Sequence, residues 1–132
     1  MTDHFTDISV AARASELPHL LEIVSGQAAS SSISEENILR LQLIVEELFV
    51  NSIEHGYRGD SEQPVWLSLT PQQGSLQLRY QDRAPAFDPT NFGPKFASTA
   101  EIGGLGLNLV RSMSKTFRYV RRGDRNVIDI EL

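Results

Sequence analysis

Residues 47–57 read Glu47-Leu48-Phe49-Val50-Asn51-Ser52-Ile53-Glu54-His55-Gly56-Tyr57, and the fold turns on how this stretch is read. Ile38, Leu41, Val45, Leu48 and Ser52 recur at steps of three and four, which puts them on one stripe of a helix. Ser34 followed by Glu35 and Glu36 suits the start of that helix: a hydroxyl caps free amides, and early carboxylates favour the positive end of the dipole. The helix is expected to run from Ser34 to about His55 and to stop at Gly56. At about 100° per residue, Glu47, Asn51 and Glu54 fall along one margin of the apolar stripe, and Glu46 falls on the far side, in solvent. A carboxylate and a carboxamide one turn apart can share a site. The amide oxygen can ligate a hard cation, and the carboxylate can orient or deprotonate a hydroxyl or water. Taken alone, the pattern is equally the solvated flank of an amphipathic helix. His55 lies close to the stripe and is expected to be a packed structural histidine.

Outward from this helix, residues 5–11 alternate enough to form a short strand. Leu17, Leu20, Leu21 and Val24 then recur at helical spacing, with Pro18 tolerable in a first turn and Ser30, Ser31 and Ser32 closing the segment. Residues 64–70 and 75–81 alternate as two strands joined by Pro71-Gln72-Gln73-Gly74, a hairpin. Residues 84–104 hold Pro85, Pro89, Pro94, Gly93 and Gly103, too many breakers for regular structure, so a long loop is expected. A helix over residues 105–115 (Leu105, Leu109, Met113, with Leu107 and Val110 alongside) precedes a closing hairpin of residues 117–120 and 126–132 around Gly123-Asp124. Hairpins with grouped helices predict an α+β fold: a two-layer sandwich whose mainly antiparallel mixed sheet is covered by helices on one face. Trp66 and the phenylalanines are expected in the core or on the sheet rather than as a base-stacking platform.

A length of 132 residues suits a single domain, residues 1–132, with one core. The absence of cysteine removes thiol catalysis and Cys-ligated zinc, and suits a reducing compartment. Residues 1–15 show no apolar run of signal-peptide type, and no segment reaches the roughly 20 apolar residues of a membrane helix, so a cytoplasmic chain with no membrane contact is expected. A net charge of -5 argues against direct binding of nucleic acid. Arg111, Lys115, Arg118, Arg121, Arg122 and Arg125 cluster in sequence, either as ordinary solvated surface or as one basic face for an acidic partner.

Two further constellations follow. In Asp82-Arg83-Ala84-Pro85-Ala86-Phe87-Asp88-Pro89 a strand ends in an acid that can accept a hydrogen bond from an exocyclic amine such as that of adenine, and compact residues leave room for a flat ring. The same residues also suit a plain Asx-capped turn. In Gly103-Gly104-Leu105-Gly106-Leu107 glycines run into a predicted helix, so that backbone amides and the helix dipole face an anion. The spacing is neither that of a P-loop nor of a dinucleotide fingerprint.

Taken in order, these three segments resemble the GHKL, or Bergerat-fold, ATP-binding superfamily: Glu47-x-x-x-Asn51 its N box, Asp82 to Asp88 its first glycine box, Gly104-Leu105-Gly106 its second, with an ATP lid between. Residues 47–57 and 103–107 look most like the stand-alone anti-sigma-factor serine kinases of the RsbW and SpoIIAB type. The resemblance implies bound Mg-ATP, with Asn51 on the metal, Asp82 on adenine, Ala84, Phe87 and Leu105 around the nucleotide, and Gly104 and Gly106 along the phosphates. It implies Glu47 as the base that activates a protein serine. Implied partners are a small antagonist protein that becomes phosphorylated in a partner-switching system, a sigma factor or similar target, and a second copy of the chain as a homodimer. The alternative is a nucleotide-gated protein-binding module without kinase activity. One departure stands out: Ala84 occupies a place where the superfamily usually has Gly, which puts a methyl where backbone approach is close.

Overall fold

The computed structural model describes residues 6–72, 75–86 and 101–132, with side chains in the last stretch from Leu107 onward. Strand β1 (Thr6–Ala11) leads through a 3-10 turn (Ala14–Glu16) into α1 (Leu17–Ser30) and α2 (Glu35–Asn51). Strands β2 (Pro64–Gln72) and β3 (Ser75–Asp82) follow, then α3 (Glu101–Met113), β4 (Thr116–Arg122) and β5 (Arg125–Glu131). The sheet runs β1-β2-β3-β5-β4 with every described pairing antiparallel, so the expected sheet contains no parallel component among these residues.

The core lies between the sheet and the three helices. Val65, Leu67 and Leu69 of β2, Leu76, Leu78 and Tyr80 of β3, and Ile128 and Ile130 of β5 meet Leu20 and Val24 of α1, Leu41, Ile44, Val45, Leu48 and Phe49 of α2, and Leu107 and Val110 of α3 in one cluster. Burying each such aliphatic side chain contributes roughly 1.5–3 kcal/mol. Ser34 caps α2 by accepting from the Asn37 amide at 3.1 Å, and Glu35 and Glu36 occupy its first turn, as the sequence leads one to expect. Gly123 takes φ +59° as the first central residue of the two-residue β4–β5 turn, a conformation that favours glycine there.

Several expectations change. The α-helix ends at Asn51 and continues as a π-helical turn, Ser52–Gly56, closed by the Tyr57 amide on the Ser52 carbonyl at 2.7 Å. The chain reverses beyond Gly56, at Arg58 (φ 63°) and Gly59 (φ 135°). The wider turn breaks the α register, and His55 is exposed rather than packed. The third helix starts at Glu101, so Gly103, Gly104 and Gly106 lie within its first two turns instead of ahead of them. Among its described side chains Leu107 and Val110 are buried and Met113 packs against the core, while Leu109 is 48% exposed. The basic run does not share one face. Arg118 and Arg122 alternate outward along β4, Arg121 turns to the helix side, and Arg125 stacks 3.7 Å over the Trp66 ring. A strand's two-residue period divides any such run between two faces.

Candidate functional site

A cleft opens where the C-terminal end of α2 meets the end of β3. It is lined by Leu48, Asn51, Ser52, Gly56, Tyr80, Asp82, Ala84, Asn126 and Ile128. The π-helical turn follows directly on Asn51, and Ser52, its first residue, is buried and aimed at the sheet. Ser52 Oγ donates to Asp82 Oδ2 at 2.6 Å and stands 2.6 Å from the Tyr80 hydroxyl. Ser52 has one hydroxyl hydrogen, and Asp82 takes it, so the Tyr80 phenol donates to Ser52. It shares that hydrogen with the Leu48 carbonyl at 3.1 Å, an oxygen already served by the Ser52 amide. A directional chain thus runs from Tyr80 through Ser52 to the carboxylate. Complete burial holds the Tyr80 phenol well above its ordinary pKa of 10, and the Asp82 charge adds to that.

Asp82, only 7% exposed, ends β3 between Val65 of β2 and Asn126 of β5. Its Oδ1 accepts from the Ala84 amide at 3.1 Å and from Asn126 Nδ2 at 2.8 Å. A buried carboxylate that accepts three donors is well compensated for its lost hydration. Beyond it, Tyr57 Oη accepts from the Arg83 amide at 2.7 Å, and the Ala84 and Pro85 carbonyls both accept from Asn126. The segment leaving the strand is therefore held by side chains rather than by ladder hydrogen bonds.

Glu47 lies one turn before Asn51 on α2, half-buried and outside the cleft's lining. Partial burial pushes its carboxyl above the ordinary 4.5, and the neighbouring charges of Glu46 and Glu54 push the same way. A raised carboxyl pKa strengthens the group as a base.

Of the residues singled out in the sequence, Asn51, Asp82 and Ala84 come together in this cleft from elements far apart in the chain. Gly104 and Gly106 belong to α3, which packs on α2. Phe87 and the Leu105 side chain lie outside the described residues, as does the lid expected between them. Three further residues shape the site without having been assigned to it from the sequence: Ser52, Tyr80 and Asn126. Ser52 was legible as a polar residue within an apolar stripe, and Asn126 as a polar residue on the inward side of β5; each is a position that calls for a partner. Trp66 faces the open side of the sheet, with the guanidinium groups of Arg83 and Arg125 5.2 and 3.7 Å from its ring centre.

Ala84 is 2% exposed, and its methyl group faces Gly56: a Cβ at Gly56 would stand 2.8 Å from it. The methyl that departs from the expected pattern is thus accommodated by a glycine across the cleft.

A family model described as the histidine kinase-like ATPase domain matches residues 10–132. The chain belongs to that family. It is similar to the serine-protein kinase RsbW of Listeria monocytogenes, 29% identical over 98 residues, a match covering 68% of this chain and 62% of the relative. The RsbW of Listeria innocua matches at the same identity and coverage. The match thus spans less than two thirds of the length of these curated relatives. Among solved structures, the RsbU and RsbW domains of Rv1364c from Mycobacterium tuberculosis share the fold, with a TM-score of 0.66 at 15% identity over 97% of this chain and 32% of that one. The catalytic domain of histidine kinase ThkA does so with a TM-score of 0.57 at 14% identity over 98% and 96%. The α+β fold expected from the sequence is that of this ATPase family.

The donor chemistry of the cleft fits a nucleotide of this family. Asp82 offers a buried acceptor, and Asn51 offers a carboxamide oxygen at the rim. Mg2+ usually takes few protein ligands and completes its shell with phosphates and water, so a single carboxamide is a sufficient protein contribution. The free space is about 20 Å³, room for about one water.

Proposed function

We propose that this chain is a single ATP-binding domain, residues 1–132, that acts as a protein serine kinase and regulator of the RsbW type. The observation that supports this best is the meeting of Asn51 and Asp82 in one cleft, with Glu47 one turn away on the same helix. In this reading Asp82 receives the exocyclic amine of adenine, Asn51 holds Mg2+, and Gly104 and Gly106, with no side chain to block approach, lie along the phosphates. Ala84, Phe87 and Leu105 surround the nucleotide. Bound Mg-ATP supplies the phosphoryl group, and Glu47 accepts the proton of an incoming serine hydroxyl. Transfer of this kind depends mostly on positioning and charge neutralisation, so one base and one metal ligand are enough.

The substrate in this reading is a small antagonist protein, and the chain, when free of it, holds a sigma factor or similar target. The chain works as a cytoplasmic homodimer without contacting nucleic acid or membrane. Among the described residues no helix is long and apolar enough to cross a membrane.

One observation favours a second reading: Glu47 does not line the cleft. If nucleotide only gates a protein interface, the chain binds Mg-ATP without transferring phosphate. Incubation with γ-labelled ATP, Mg2+ and a small antagonist encoded beside the gene separates the two. The kinase reading expects label on a serine of the antagonist, and loss of label in Glu47→Gln while Mg-ATP affinity stays within about threefold. Tight Mg-ATP binding with no label on any antagonist leaves the gated module as the function.

A further inference from the structure

The side chain of Asn126 is 6% exposed and spans two groups of partners. Its Nδ2 donates to Asp82 Oδ1 at 2.8 Å and to the Ala84 and Pro85 carbonyls at 3.1 Å each. Its Oδ1 accepts from the Tyr119 hydroxyl at 2.6 Å and from Arg121 Nη1 at 3.2 Å. Arg121 Nη1 also donates to the Ala84 carbonyl at 2.7 Å. This distribution leaves one orientation for the amide. Reversed, its oxygen would face a carboxylate and two carbonyls, and its hydrogens would face a guanidinium. Pairing of β3 with β5 needs only the backbone of Asn126, and an apolar residue would satisfy the sheet equally well.

We propose that Asn126, oriented by Tyr119 and Arg121, is a positioning residue of the nucleotide site, setting the Asp82 carboxylate and the Ala84–Pro85 backbone for recognition of an amine-bearing base. The proposal rests on the reading of the cleft as a nucleotide site. A carboxylate has about four acceptor positions. Among the described residues, Asn126 and the Ala84 amide fill those of Oδ1 and Ser52 fills one on Oδ2, which leaves a single acceptor position on Oδ2. A carboxylate restricted in this way accepts the 6-amino group of adenine and repels the 6-oxo group of guanine. Without the Asn126 amide, Asp82 loses a donor and the loop carbonyls lose their common anchor, so the remaining acceptor is no longer aimed.

Calorimetric titrations with Mg-ATP and Mg-GTP, together with amide exchange at Ala84, test this on the full chain and two variants. Asn126→Asp keeps an acceptor for Tyr119 and Arg121 but has no amide hydrogens. Tyr119→Phe removes one of the two donors that orient the amide, and serves if the first variant does not fold. For Asn126→Asp the expected result is a loss of Mg-ATP affinity of about tenfold or more, reduced preference over Mg-GTP, and faster exchange at Ala84. Tyr119→Phe should move all three readouts the same way by about threefold. A folded Asn126→Asp that binds Mg-ATP within about twofold of the parent, with unchanged base preference, overturns the proposal. If the parent binds neither nucleotide, the nucleotide reading fails by itself. Exchange at Ala84 then still decides whether Asn126 sets the loop, and unchanged exchange in the variant rules that out too.

Discussion

Gly56 and Ala84 show how one methyl group couples two segments. Ala84 cannot retreat readily, because Asp82 holds its amide and Asn126 and Arg121 hold its carbonyl. Gly56→Ala should therefore suffer overpacking of about 1–3 kcal/mol, partly offset by a gain of up to about 1 kcal/mol in helical propensity. In an Ala84→Gly background the clash is absent, so the same substitution becomes neutral or stabilising. Urea unfolding of the four proteins measures this coupling, and strictly additive effects would contradict the contact. Glu47 gives a prediction of a different kind. Its carboxyl lies above 4.5 in the folded protein, so between 4.5 and the raised value the folded state binds more protons than the unfolded chain. Stability then declines as pH rises through that window, and the full cost persists above it. Glu47→Gln lacks this decline and should be more stable than the parent at neutral pH, as chemical denaturation across the window would reveal. Parallel stability curves for the two proteins would count against it.

At the scale of elements, α2 organises the site. Its start follows from local chemistry, and Ser34→Ala should cost about 0.5–2 kcal/mol, read as a lower urea midpoint with unchanged cooperativity. Its end does not follow from local chemistry. The pattern through His55 continues an α-helix, and Gly56 looks like its stop, yet the π-helical turn begins at Ser52 and the chain reverses at Arg58 and Gly59. Burial of the Ser52–Tyr80–Asp82 contacts favours the wider turn, because only tertiary partners on β3 reward it. The order and type of the elements were readable because each long segment keeps one period. The inward face of α3 was not, because Leu109 and Val110 both fit an apolar helical pattern and only packing against the rest of the core decides that Val110 is buried and Leu109 exposed.

For the whole molecule, helices on one face leave the end of β3 accessible beside the end of α2, and the cleft arises there. If that cleft takes nucleotide, Mg-ATP at 100 times its Kd should raise stability by about 2.7 kcal/mol, seen as a concentration-dependent rise in melting temperature. No shift at millimolar Mg-ATP would remove the basis for every nucleotide-dependent role assigned to the chain.

The sequence by itself determined the strands, the helices, the order of Glu47, Asn51, Asp82 and the glycines, and hence the family, because periodicity and local capping are written in neighbouring residues. Only the tertiary structure decided how the site is held. The partners of Asp82 come from α2's π-helical turn and from β5, and Ala84 is matched by Gly56 across the cleft. Such hydrogen bonds and contacts depend on register and packing between segments tens of residues apart, which no local pattern encodes.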